Sequence, residues 1–162
     1  MRSLGAIFVS DPLEPLERRI LAALSQDGRR AYREIARELD VSEGTIRQRV
    51  GRMIDRGLIR ISAVGSPLDL GFEAVAVVLI QVKPGASEEV AKKLAAIPHV
   101  RFVGTSFGSA DIVIQTIHTT MQDLYSFVSN GLPEISPSII RTETFQITNV
   151  VKSAWTWDDW LS

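Results

Sequence analysis

Residues 40–57, DVSEGTIRQRVGRMIDRG, decide how the first part of this chain folds. Ile46, Val50, Met53 and Ile54 recur at spacings of three and four, which aligns them as one apolar stripe along a helix. Ser42 stands where a helix N-cap is wanted, Glu43 brings negative charge to the first turn, and Gly57 follows the last apolar position as a stop. At about 100° per residue, this stripe turns Gly44, Thr45, Gln48, Gly51 and Arg52 away from the core, with Arg47 and Arg49 on its flanks. The outward face is therefore small at its start, hydrogen-bonding in its middle and bordered by cations.

Upstream, residues 15–25 carry Leu16, Ile20, Leu21 and Leu24 at helical spacing and end on Asp27-Gly28. Residues 30–39 repeat the pattern, with Ile35, Ala36 and Leu39 inward and Arg33, Glu34, Arg37 and Glu38 outward. Asp40-Val41 then makes a tight connection to the third helix. A short helix, a tight turn and a helix with this outward face form the arrangement that lets one helix enter the major groove. Side chains near its start read base edges while flanking arginines hold phosphates. The candidate DNA-binding residues are Ser42, Gly44, Thr45, Arg47, Gln48, Arg49 and Arg52, with the Ser42 hydroxyl or amide placed to meet a phosphate at the helix start.

Charge agrees with this reading once the chain is divided. The net charge of -1 averages a first part, residues 1–72, with twelve arginines against ten acids, and a remainder with six basic residues against nine acids. Every basic residue of the first part is arginine, whose planar fork suits phosphates and guanine edges. The 162 residues contain no cysteine, which excludes a disulfide scaffold and favours a reducing compartment. The apolar residues 4–9 are too few for a secretory signal and are followed by Asp11, Pro12 and Glu14. The apolar run that begins at Ala74 is far shorter than the roughly 20 residues of a membrane span. A cytoplasmic protein with no membrane partner is expected.

Beyond the helices, residues 58–64 alternate apolar and polar, as a strand or wing would, and breakers cluster from Gly65 to Gly71. The periodicity then changes. Residues 74–82 are β-branched and apolar, 87–96 helical, 100–106 and 111–119 strand-like around Gly108, 121–128 helical and 139–155 extended. The expected domains are residues 1–64, a linker at 65–72 and residues 73–162. The fold class is α+β, an N-terminal (winged) helix-turn-helix followed by a ferredoxin-like βαββαβ domain. Two helices cover only one face of such a sheet, so the other face calls for a partner.

No catalytic or metal constellation stands out, and no cofactor is expected. His99 and His118 are isolated in sequence, Glu88-Glu89 marks a helix start, and the glycines from Gly104 to Gly108 lack the lysine of a phosphate loop. Trp155, Trp157 and Trp160 are assigned to packing against the sheet or across an interface.

The run LERRILAALSQDGRRAYREIARELDVSEGTIRQRVGRMIDRGLI, residues 16–59, resembles the DNA-binding domain of the Lrp/AsnC, or feast/famine, regulators. The likeness rests on the Asp27-Gly28-Arg29 turn, the Val41-Ser42 turn, the Arg49-Val50 pair and the Gly57-Leu58-Ile59 exit. The second half resembles the ligand-responsive domain of the same family. The resemblance implies a prokaryotic transcription regulator that binds double-stranded DNA as a homodimer assembling to a tetramer or octamer. It also implies a small-molecule effector, an amino acid in many members, bound near the turn between the second and third strands of this domain. Here that turn is Gly104, Thr105, Ser106, Phe107, Gly108, Ser109, Ala110 and Asp111. Glycines let backbone amides approach a carboxylate, and Asp111 can pair with an ammonium group. An ordinary hairpin with Gly108 at positive φ is the alternative. Ser109 and Ala110 replace an acid and a tyrosine frequent in the family, which favours an effector less cationic or less extended than lysine, or none. Two other functions share the plan. One is an effector-independent DNA-architectural protein; the other is a siroheme-decarboxylase-like enzyme, whose tetrapyrrole pocket and ionisable groups this histidine-poor sequence does not offer.

The uncovered sheet face yields a first prediction. A fragment spanning residues 72–162 sediments as a dimer or higher multiple and does not bind DNA, because its apolar face must leave water. A stable monomer in analytical ultracentrifugation refutes it.

Overall fold

The computed structural model describes residues 13–63 and 65–151. The chain divides into two compact units with the boundary after Ala63.

The first unit holds three helices, α1 (Pro15–Gln26), α2 (Tyr32–Leu39) and α3 (Glu43–Asp55). Their apolar stripes converge on Ile20, Leu24, Ile35, Leu39, Ile46, Val50 and Met53, all buried. Burying each of the larger side chains contributes roughly 1.5–3 kcal/mol, so this core holds a unit too small for secondary-structure propensity to stabilise alone. Local chemistry sets the ends. Pro15 takes the first position of α1, where a missing N–H costs nothing. Asp40 adopts the left-handed conformation (φ 54°) that turns the chain between α2 and α3. The Ser42 hydroxyl accepts the Thr45 amide at 3.1 Å. Gly57 (φ 70°) closes α3, its amide donating to Ile54 while the Leu58 amide donates to Met53.

Two expectations are revised in this unit. Ile54 lies at the edge of the α3 stripe and is 44% exposed, one 100° step past the buried Met53. Residues 58–63 form no strand, because the alternating sequence finds no neighbouring strand to pair with among the described residues. Leu58 and Ile59 pack on the helical core instead.

The second unit runs β1 (Ala74–Val82), α4 (Ser87–Ala95), β2 (Val100–Thr105), β3 (Ile112–His118), α5 (Met121–Ser126), a π-helical segment (Phe127–Gly131), α6 (Leu132–Ile135) and β4 (Ile139–Gln146). The strands form one antiparallel sheet in the order β2-β3-β1-β4. This is the ferredoxin-like arrangement, with consecutive elements connected without knots. On one face Val78, Ile80, Val82, Ile112 and Ile114 meet Val90 and Leu94 of α4, Phe127 and Leu132. The second helix continues past the expected 128 because the π turn absorbs Pro133. Leu132 donates to Phe127, five residues back, and the wider turn makes room for a proline that has no N–H to give. β4 ends at Gln146, short of the extended stretch expected, whose residues 152–155 lie outside the described residues. Among the described residues beyond it, the Ile147 amide, donating to Val75 at 2.8 Å, continues the ladder. The three tryptophans lie outside the described residues.

The opposite sheet face carries none of this unit's helices among the described residues. It presents Val77 and Leu79 of β1, Val113 of β3, Phe102 of β2 and Phe145 of β4, the two phenylalanines being about half exposed. Arg141 and Glu143 make the outer edge of this face polar, so its apolar centre lies on β1, β3 and β2 rather than on β4.

The two histidines, distant in sequence, meet in the fold. Their rings stand 4.6 Å apart, and the His99 ring meets Phe127 edge-on at the same distance. His118 Nε2 is 2.9 Å from the Thr116 hydroxyl, which itself donates to the His99 carbonyl. His99 Nε2 is buried with no hydrogen-bond partner. Among the described residues no group of three or more potential metal-ligating side chains gathers around these histidines. Burial pushes both imidazoles below the ordinary 6.5; for His118 the neighbouring His99 adds to this, and Asp123 opposes it.

A pH dependence of stability follows. The folded chain binds fewer protons than the unfolded chain below pH 6.5, so the contribution of this cluster is complete above 6.5. It is lost as pH falls below that value toward the depressed folded-state values. Thermal unfolding of the whole chain between pH 7.5 and 5 should show this loss, and His99→Phe with His118→Gln should flatten it. An unaltered slope in the double variant refutes the assignment.

Candidate nucleic-acid interface and effector turn

α3 presents the face expected from its sequence, but its side chains are not equivalent. Ser42, Gly44, Arg47, Gln48 and Arg52 are exposed, and Thr45 is half-buried. Ser42 and Thr45 hold one another, their hydroxyls 2.9 Å apart, so the capping pair is already satisfied before any ligand arrives. Arg47 pairs with Glu43 one turn back at 2.6 Å and lies over the Tyr32 ring at 5.5 Å. Its side chain remains two-thirds exposed, so this ion pair contributes little and yields readily to a phosphate. Gln48 and Arg52 have no side-chain partner among the described residues and project from the same exposed face.

Arg49 is placed differently. It points back toward the start of α1, donating to Glu14 Oε2 at 2.5 Å and lying 3.7 Å from Glu17 Oε1. Glu17 is fully buried. It shares the α1 stripe with Ile20 and Leu24, which is a signal available in the sequence: an acid in phase with a core stripe needs a cation.

At the far end of the second unit, residues 106–111 join β2 to β3 in a closed turn. The Ser106 amide donates to the Asp111 carbonyl at 2.8 Å, and the Ser106 hydroxyl donates to the Ala110 carbonyl at 2.8 Å. Gly108 takes φ 127°, a conformation that side chains resist. The amides of Phe107, Gly108, Ser109 and Ala110 have no acceptor among the described residues, and the Phe107 ring is wholly exposed. Ala110 is buried.

Four positions in this region take roles the sequence did not reveal. Asp111 Oδ2 accepts the Val82 amide at 2.9 Å while the Asp111 amide donates to Ile80 at 3.0 Å, so Asp111 ties the start of β3 to the end of β1. Gly104 sits within β2, paired with Val113, and the Phe102 ring lies over it so closely that an added Cβ would come within 2.9 Å. Its bareness accommodates that ring. Thr105 likewise ends β2, opposite Ile112. Gln81, which sequence reading passed over, donates from Nε2 to the Ser109 carbonyl at 2.6 Å. It is the one polar residue in the run AVAVVLIQV, and that contrast was the available signal.

Comparison with known proteins fits both regions. Residues 13–60 match the winged helix-turn-helix DNA-binding family, and residues 75–155 match the Lrp/AsnC ligand binding domain. An uncharacterised helix-turn-helix-type transcriptional regulator of Pyrococcus furiosus is 41% identical over 141 residues, covering 86% of this chain and 95% of the relative. Among solved structures, AsnC of E. coli is similar with a TM-score of 0.76 and 27% identity, covering 88% of this chain and 97% of that one. A transcriptional regulator of Neisseria meningitidis, solved as a complex with L-Met, has a TM-score of 0.77 at 20% identity, covering 90% and 96%. At that identity the likeness speaks for the fold alone. With a helix-turn-helix unit, a ferredoxin-like ligand-binding unit and a relative aligned over nearly its whole length, this chain belongs to the Lrp/AsnC family of transcriptional regulators.

Proposed function

We propose that this regulator reads duplex DNA with the exposed face of α3 and responds to a small molecule bound at the turn between β2 and β3. The observation that carries the DNA reading is the α3 face, where Gln48 and Arg52 stand exposed beside Arg47 on a helix whose start is capped by Ser42. Gln48 supplies both a donor and an acceptor for a base edge, Arg47 and Arg52 supply charge for phosphates, and Gly44 allows the helix start to approach closely. Ser42 and Thr45 hold that start in shape. Residues 1–64 are assigned to DNA binding, 65–72 to a linker and 73–162 to sensing and assembly.

For assembly, two copies packing their uncovered sheet faces together would remove Val77, Leu79, Val113, Phe102 and Phe145 from water, and further association would give a tetramer or octamer. A regulator that is not an enzyme and acts in the cytoplasm completes the reading. The effector is an amino acid or a related molecule. Support comes from the four open amides at 107–110, donors of the kind a carboxylate accepts from, and from the methionine complex of the structural neighbour. Because one Asp111 oxygen is committed to Val82, the ammonium end would meet the other oxygen. Effector binding controls DNA affinity only if it favours one arrangement of subunits or units over another, and a pocket walled by two subunits meets that condition.

Two measurements test this reading. Gln48→Ala should lose discrimination between a selected duplex and a scrambled one, at a cost of roughly 1–3 kcal/mol. Arg47→Ala and Arg52→Ala should weaken both duplexes and lower the salt slope by about one each; unchanged binding in all three variants refutes the α3 assignment.

Calorimetric titration of the amino acids, L-methionine first, tests the turn. Asp111→Asn keeps an acceptor for the Val82 amide and removes the charge, so it should weaken the effector at least about tenfold, as expected for a charge-assisted bond of roughly 1.5–3 kcal/mol. DNA binding without effector should persist. Equal heats from both proteins place the site elsewhere, and silence from the wild type favours the effector-independent architectural function.

A further inference from the structure

We propose that the Glu14-Arg49-Glu17 cluster is a lock that sets the position of α3 on α1, and that Glu17, which cannot reach DNA, is thereby a positioning residue for sequence recognition. The inference rests on α3 being the DNA-reading helix. It changes the role of Arg49 from phosphate contact to internal tie.

The geometry has three parts. Glu17 is fully buried, and its Oε2 accepts the Glu14 amide at 3.0 Å, closing the first turn of α1. Its Oε1 has no hydrogen-bond partner among the described residues and faces Arg49 Nη1 at 3.7 Å. The same Nη1 donates to Glu14 at 2.5 Å, and the Arg49 side chain is only 23% exposed. One guanidinium from α3 thus lies between two carboxylates from the N-terminal turn of α1.

Apolar contacts between two helices tolerate small rotations and slides, because Ile46, Val50 and Met53 can repack against a smooth neighbour at modest cost. A buried carboxylate does not tolerate losing its cation. Rotating or sliding α3 would carry Arg49 away from Glu17 and leave a charge unpaired in the core, so the cluster penalises the displacements that the apolar core permits. Gln48 and Arg52, one residue before and three after Arg49, inherit that constraint. Discrimination between base pairs depends on placing a side chain within hydrogen-bond distance of a base edge, whereas phosphate attraction is far less exacting. The lock should therefore bear on specificity more than on total affinity. The arginine is also poorly disposed to neutralise a phosphate, since two carboxylates already surround it.

The test uses the full chain and a duplex enriched from random sequence by the wild-type protein, against a scrambled duplex of equal length, across a salt series. Three proteins are compared with wild type: Glu17→Gln, which is nearly isosteric, Glu17→Gln with Arg49→Met, which removes both charges and leaves no ion unpaired, and Gln48→Ala. The lock predicts that Glu17→Gln lowers the ratio of selected to scrambled affinity by about tenfold, the order of one mismatched base pair. The double variant should fold, show the same loss and keep the wild-type salt slope. Should its slope instead fall by about 0.9, the value for one phosphate, Arg49 is a DNA contact and the proposal is overturned. It is equally overturned if Glu17→Gln discriminates as wild type does while Gln48→Ala is impaired. If Gln48→Ala is also unimpaired, the assignment of α3 fails and takes the lock with it.

Discussion

A strand that is apolar on both sides must be buried on both sides, and β1 is such a strand. In AVAVVLIQV the even-numbered residues from Ala74 to Val82 and the odd-numbered Val75, Val77 and Leu79 are all hydrophobic. An edge position would leave one row of backbone groups and much of this surface in water. β1 therefore lies between β3 and β4, with its even face under the helices. The order β2-β3-β1-β4 and the return of β4 to the free side of β1 both answer this single demand. So does the need for a second covering on the odd face, which α4, α5 and α6, packed across the other side, do not supply.

The same strand shapes the turn between β2 and β3, the proposed effector site. At its far end the apolar run gives way to Gln81, whose amide reaches the Ser109 carbonyl, and to Val82, whose amide is received by Asp111. The turn is thus anchored to the largely buried central strand β1 rather than left as a free loop. At the opposite end, Ala74 pairs with His118, which stacks against His99 and Phe127 at the π turn that Pro133 imposes. Both ends of one strand consequently carry polar groups held by packing.

The helical unit solves a different problem with few residues. Three short helices have a small common core, and hydrophobic contact alone would leave α3 loosely indexed. Its end groups are set by Ser42 and Gly57, and its rotation by an ion pair with a buried acid on α1. The result is a helix whose exposed face is defined by what it cannot do inward. Arg49 is drawn into the protein while Arg47, Gln48 and Arg52 are left outside.

Local rules sufficed wherever the controlling interaction was short in sequence. The three helices, the Ser42 cap, the Gly57 stop, the limits of β1 and the alternation of strands and helices are all written in periodicity and turn chemistry, because their hydrogen bonds close within four residues or repeat every second residue. Tertiary structure alone decided whether residues 58–63 would pair, since a strand exists only beside another strand. It also decided the partner of Arg49, thirty-five residues from Glu14; the use of the Asp111 carboxylate, twenty-nine residues from Val82; the ring lying over Gly104; and the meeting of His99 with His118. In each case a side chain with several possible partners was assigned one by packing, and packing brings together residues whose separation along the chain carries no information about their distance in space.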